Sequence, residues 1–470
     1  MTSLSKVRNA PVYTPPPPKE TEPNTIVAKQ GGPSPETSTP TKPEAKQKPG
    51  YEATSTFEAT APAPGAPKPG KEPKNKEEAL LRADEILNPS SGEKRDDDWT
   101  VLNDGTDGKA TGKKEEGIAS AQVKANEKLE KEELAKLSEG DRKKYKEVKD
   151  AIGEYHDKGS EQLALQKMLF QGKLPGEKDL KGEGTTLDHL ADAASGKNLA
   201  KGINRGDFTG TLVREMATPS SINQGSKGTC APTALSIDLA DKNPAEYARI
   251  SKGLASNEGK VELADGKTTL EREKEASIKD DGSGRSINQR ILAPTLMEFS
   301  NGDGDYNDKT GEGAGATTDN LDKLNDAIHG KNMRHESFGD NDKDKALSVI
   351  DSELKRGNNV LTGMRFEEEG KQHSYHEVLV TGTSEENGKK YIHFTNPWGT
   401  EERMLREDFA DRVFSANYEG NDERRNGISL PSNIGRGGGL GGLGGGLGDL
   451  MNVALPALRD QQAASLDKLF

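Results

Sequence analysis

The 470-residue chain carries 66 Lys and Arg against 79 Asp and Glu, a formal net charge of −13 with a pI near 5.3. That balance argues against nucleic acid or an anionic membrane as the main partner, since like charge repels polyanions. Only 30% of the residues are hydrophobic and 4% aromatic, too little apolar mass to pack the whole length, so one compact domain with long polar extensions is expected. The single cysteine, Cys230, excludes an internal disulfide and a cysteine zinc site. No apolar segment follows Met1 and no run approaches the ~20 apolar residues of a membrane span. Neither a Sec signal nor an integral membrane segment is therefore expected, and the chain would be cytoplasmic or exported by another route.

In chain order, residues 1–75 are rich in Pro, Lys, Glu and Thr and include Pro15–Pro18, which reads as a disordered arm with polyproline character. Lys76–Leu87 has helical spacing, with Ala79, Leu80, Ala83 and Leu87 apolar, and Asn88-Pro89 ends it. Ser90–Gly117 reads as a charged linker, which completes the unit 76–117. Residues 118–200 read as a polar helical module with narrow apolar stripes. The main domain is expected over residues 201–430, followed by a Gly-rich linker, 431–448, and an amphipathic tail, 449–470.

Within 201–430, Asn243-Pro-Ala-Glu246 has the pattern of an N-cap, a proline at N1 and a glutamate at N3. Val261–Leu270 predicts a hairpin turned at Asp265-Gly266, and Arg290–Phe299, Thr318–His329 and Lys345–Arg356 predict helices. Asn359–Phe366, His376–Thr381 and Lys390–Thr395 predict strands, the last two joined across Ser384–Gly388. Asp303, Asp305 and Asn307 begin like a calcium loop, but Asp308 replaces the required glycine and Ala314 the closing glutamate. Neither a metal nor a cofactor is called for. The fold class is α+β, a helical half followed by an antiparallel β half.

Cys230 opens the apolar run Ala234, Leu235, Ile237, Leu239 after a glycine-broken loop. A thiol at a helix N-terminus sits at the positive end of the dipole, which favours thiolate. Six residues earlier, Gln224 offers an amide that can donate to an oxyanion. A nucleophilic thiol needs a base, and the base needs an orienting group. His376 stands at the start of a strand, and twenty residues on Asn396-Pro-Trp-Gly399 closes the next one, so the hairpin sets a carboxamide beside the imidazole with Trp398 to shield the bond. His373 is the rival base, and His393 is read as structural. A lone cysteine before an apolar run is more often a core thiol; only the conjunction of the three segments favours chemistry.

Gln-Gly-x-x-Gly-x-Cys at 224–230, His-x-Val-x-Val-Thr-Gly at 376–382 and Asn-Pro-Trp-Gly at 396–399 resemble, in order and spacing, the active-site motifs of papain-like cysteine peptidases. Calpains are most similar around Val-Thr-Gly and Asn-Pro-Trp-Gly, and peptidases that process double-glycine leaders resemble the stretch after Trp398. The resemblance covers about residues 214–414. It implies a two-lobed papain-like core, with Cys230 as nucleophile, His376 as base and acid, Asn396 as its orienting group and Gln224 in the oxyanion hole. It implies a protein or peptide substrate, a monomeric core and a cysteine protease, one suited to a secreted effector or toxin, with the N-terminal region as an intramolecular inhibitor. The sequence departs from papain and calpain in placing Ala231-Pro232, not tryptophan, after the cysteine. Two alternatives stay open: a transglutaminase-like acyl transferase, and a catalytically silent binding module of the same fold.

Overall fold

A computed structural model describes residues 70–420, except 97, 105–112, 155–157, 275, 303, 312, 314 and 367–373. The N-terminal arm before residue 70, the Gly-rich linker, the C-terminal tail, His156 and His373 lie outside the described residues.

Local chemistry accounts for most of the helices. Asn75 accepts the Glu78 N–H and starts Lys76–Leu87, the limits expected from the apolar spacing. Thr318–His329 also has the expected limits, capped by the Thr317 side chain and ended by Gly330 in the left-handed region. In Pro244–Ala255 proline does open the helix, but Asn243 makes no side-chain cap. Glu246 turns instead to Arg249, at 2.9 and 2.7 Å, and accepts the Leu180 N–H. The capping pattern there is overridden by a buried ion pair.

The ten strands among the described residues are β1 (Lys94–Asp96), β2 (Trp99–Asp104), β3 (Lys260–Glu262), β4 (Thr269–Glu271), β5 (Arg334–Ser337), β6 (Val360–Phe366), β7 (Ser374–Glu386), β8 (Lys389–Asn396), β9 (Thr400–Leu405) and β10 (Val413–Tyr418). β3 and β4 form the small hairpin expected around Asp265-Gly266. The other eight form one antiparallel sheet in the order β1-β2-β9-β8-β7-β6-β10-β5. β7 runs five residues beyond the strand expected from its apolar core, and the turn to β8 falls on Asn387-Gly388, both at positive φ (51° and 76°), as a tight hairpin requires. The class is thus α+β, with thirteen helices and a large antiparallel sheet among the described residues.

Ser90–Gly117 is not a linker. It supplies β1 and β2 and leads into the helix Lys113–Ala125. Trp99-Thr-Val-Leu102 is too short among charges to show a period, and only pairing with β9 makes it a strand. Nor do the helices before residue 201 stand apart. Leu87, Val148, Leu163, Leu165, Met168, Leu187 and Leu190 share one hydrophobic core with Ala234, Leu235 and Ile237 of the cysteine helix, and with Leu361 and Leu379 of the sheet.

The opposite face of the sheet, with Val378, Val380, Ile392 and Phe394, packs on Ala346 and Ile350 of the helix Lys343–Lys355 and on Phe409. Covering both faces explains the unbroken apolar run in β7: Leu379 enters one core, Val378 and Val380 the other. Among the described residues no helix is long and apolar enough to cross a membrane.

Two outcomes follow from this packing. A chain starting at residue 201 lacks β1, β2 and six of the thirteen described helices, and is expected to lose its near-ultraviolet circular dichroism and its cooperative thermal transition; retention of both would contradict the shared core. Met168→Ala, at a site with 0% exposure, should lower stability by about 2–5 kcal/mol in urea titration.

Candidate active site

Cys230 is the first residue of the helix Cys230–Lys242, which is buried along most of its length and lies against β7. Thr229, at the cap position, gives the helix no side-chain hydrogen bond, so the first backbone N–H groups stay available to the thiol itself. The sulfur faces the backbone N–H groups of Cys230, Ala231 and Glu377. It therefore meets the sheet at the peptide unit that follows His376.

His376 Nε2 lies 2.9 Å from Asn396 Oδ1, with both side chains buried. The adjacent pairing of β7 and β8 brings them together across twenty residues of sequence. Trp398 stacks on the imidazole with ring centroids 4.6 Å apart and planes 27° from parallel, and stays 40% exposed on its outer side. The Trp398 N–H also reaches Asn396 Oδ1 at 3.3 Å. The indole thus covers the amide–imidazole bond from solvent.

The loop before the cysteine is fastened to the same turn. Gln224 N donates to Pro397 O at 2.7 Å, and Asn223 bridges to Trp398. Gln224 Nε2 donates to Lys227 O at 2.7 Å, while Oε1 is buried without a hydrogen-bond partner. One N–H of that amide is used within the loop and the amide carries a second. Gly225 has φ +58°, and a Cβ there would lie 2.1 Å from Ser283 O, so this glycine allows both the turn and the close approach. The Lys227 ammonium donates to the Asp308 carbonyl, and Asp308 is paired with Arg285 at 3.0 and 2.7 Å. The aspartate-rich loop 301–316 therefore braces the cysteine loop through a buried ion pair.

Electrostatics correct one expectation. Burial pushes the Cys230 thiol up to about 11, against the pull of the neighbouring backbone N–H groups and aided by the charge of Glu377. Desolvation outweighs the helix terminus, so the thiol is held protonated near neutrality. Burial pushes His376 down to about 4 despite the bond to Asn396, and pushes the Glu377 carboxyl up to about 8. Cysteine and histidine are both neutral near pH 7 in this closed arrangement.

Cys230, Gln224, His376, Asn396 and Trp398 thus share one neighbourhood. The other four described histidines lie elsewhere: His189 is bound to Asp179 at 2.8 Å, His393 to Ser384 at 2.6 Å and His329 to Asn325 O at 2.9 Å, and His335 sits on the edge strand β5, paired with Asn417. Sequence reasoning missed two carboxylates of the neighbourhood, Glu377 beside the thiol and Glu402 behind Asn396. Strand alternation alone offered no signal for either, because acids on a strand ordinarily face solvent. No family model, curated protein or solved structure matches this chain.

With one thiol in the chain, alkylation by iodoacetamide reports on Cys230 alone. Its rate should be low at pH 7 and rise about tenfold per pH unit toward pH 10, without a plateau at acid pH; a fast plateau below pH 7 would refute the neutral pair. Stability follows by linkage. His376 binds a proton near 6.5 when unfolded and near 4 when folded, so its contribution is present above 6.5 and fades as pH falls to 4. Glu377 ionises near 4.5 when unfolded and near 8 when folded, so its contribution is present below 4.5 and is lost as pH rises to 8. The two slopes cancel between 4.5 and 6.5, and above that Glu377 alone remains. Glu377→Gln should therefore flatten the fall in melting temperature between pH 6.5 and 8; an unchanged fall would exclude this assignment.

Proposed function

We propose that the chain is a papain-like thiol hydrolase that cleaves peptide bonds through a Cys230 acyl-enzyme. The helical part bearing Cys230 and the sheet bearing His376 and Asn396 would be its two lobes. The observation that carries this reading is the buried, tryptophan-covered bond between His376 and Asn396, with a thiol at a helix N-terminus meeting the peptide unit that follows His376. A merely structural histidine has no need of an amide on one side and an indole lid on its face.

In this reading Asn396 Oδ1, which only accepts, receives the hydrogen bond of His376 Nε2–H, so Nδ1 carries the lone pair and acts as base. Because both groups start neutral, the thiol proton passes to Nδ1 as the sulfur attacks the scissile carbonyl. The C–S bond forms as the C=O π bond opens to an oxyanion, which the Cys230 backbone N–H and the second N–H of Gln224 would stabilise. Collapse breaks the C–N bond, and the imidazolium returns the proton to the leaving amine. Water, deprotonated by the same nitrogen, then attacks the thioester; the C–S bond breaks, the imidazolium returns its proton to the sulfur, and the acid is released. Burial of the sulfur, the largest cause of its raised pKa, makes a resting thiolate costly, so the proton would leave only as attack begins.

The test is hydrolysis of a fluorogenic peptide library by the full chain, with an added primary amine in parallel. Cys230→Ala and His376→Ala should each lower kcat/KM by ~10³-fold or more, and Asn396→Ala by about 10–100-fold. Products carrying the amine in place of water would move the assignment to acyl transfer. Equal turnover by Cys230→Ala and the native chain would end the thiol reading.

A further inference from the structure

Behind the amide–imidazole bond stands a carboxylate that the proposed mechanism does not use. Glu402, at the middle of β9, has no exposed surface. Its Oε1 accepts from Thr400 Oγ1 at 2.6 Å and from Asn396 Nδ2 at 3.3 Å, and its Oε2 accepts from Trp99 Nε1 at 2.6 Å. The Arg95 guanidinium lies 3.6 Å from Oε1. Four side chains from four strands converge on this one group, and two of them belong to β1 and β2, at the far edge of the sheet.

The chemistry of these contacts is directional. A carboxamide presents an acceptor at one end and a donor at the other, and its two orientations differ little in shape. A carboxylate accepts and cannot donate, so the end of Asn396 that faces Glu402 must be Nδ2. The end that faces His376 must then be Oδ1. An oxygen that only accepts requires the proton on His376 Nε2, which leaves the lone pair on Nδ1.

We propose that Glu402 is a positioning residue that, together with the Trp398 backbone N–H on Asn396 Oδ1, fixes the tautomer of His376 through the orientation of Asn396. The inference rests on the reading of His376 as base only for its catalytic consequence; the tautomer itself is a property of the folded chain. Trp99 and Arg95 hold the carboxylate from outside, which gives the early strands a role at a site about three hundred residues away in sequence. Glu402→Gln would keep shape and size but add a donor, so the Asn396 amide could turn and place Nδ2 against the imidazole, favouring the Nδ1–H form.

The experiment is two-bond nitrogen–proton correlation spectroscopy on full-length chain with nitrogen-15-labelled histidine, the His376 signals being assigned by their loss in His376→Gln. The native chain should show the Nε2–H tautomer. Glu402→Gln should show a substantial Nδ1–H population, and Trp99→Phe, which removes the donor from the other oxygen only, should keep Nε2–H. Should Glu402→Gln fail to fold, Glu402→Asp, which keeps the charge and draws the oxygen away from Asn396, serves the same comparison. In peptide hydrolysis Glu402→Gln should lower kcat about 10–100-fold with KM nearly unchanged, by analogy with other orienting partners. Pure Nε2–H in the Glu402 variant overturns the proposal, as does an equal change in Trp99→Phe. A tautomer switch in a chain that hydrolyses no peptide sustains the positioning role and removes the protease reading instead.

Discussion

Desolvation of polar groups is the constraint on which this structure turns. His376, Asn396, Glu377 and Glu402 are all buried within neighbouring strands of one sheet, where an unmatched polar atom costs a few kcal/mol. Three of them meet that cost by bonding in series, imidazole to amide to carboxylate. The series needs β7, β8 and β9 adjacent and in register. Register in turn needs both faces of the sheet covered, by the helical core on one side and by Ile350 and Phe409 on the other.

The same burial sets the charge state. A helix terminus offers the thiol a few tenths to about 1 kcal/mol of field at a surface site, whereas removal from water carries a larger penalty. The outcome is a protonated Cys230 beside a neutral His376, with the Glu377 carboxyl also held toward its neutral form. In the proposed hydrolase such a pair would transfer its proton during attack rather than before it. Its resting thiol is shielded from adventitious alkylation and oxidation. Reactivity would then depend on what a substrate displaces or contacts on arrival, including the exposed face of Trp398.

Long-range bracing is the second theme. The cysteine loop is tied to the Asn-Pro-Trp-Gly turn by Gln224 N and Pro397 O, and to the loop around Asp308 by Lys227 and the Arg285 ion pair. β1 and β2 reach the same neighbourhood from the chain's early part, through Trp99 and Arg95. Helices that precede the cysteine by seventy residues or more in sequence bury their apolar faces in its core. The site is thus assembled from most of the described chain, and no short excised piece retains all of its supports.

Much of this was legible in the sequence. The Lys76–Leu87 and Thr318–His329 helices showed their period and stop signals, the β7–β8 hairpin was legible as two alternating runs joined across Ser384–Gly388, and the approach of His376 to Asn396 followed from their places on that one hairpin. What local pattern could not contain was pairing between distant segments. β2 is four apolar-leaning residues amid charge until β9 lies beside it, and Glu246 reads as a cap residue until Arg249 and Leu180 claim it. Glu377 and Glu402 read as solvent-facing acids until both faces of the sheet are covered. The thiol's charge state depended on the depth of burial, not on its place at the helix start. Periodicity and turn chemistry act over a few residues and are written in the sequence, whereas dielectric environment and the partners of buried polar groups are set by which surfaces close over them, and only the tertiary structure decides that.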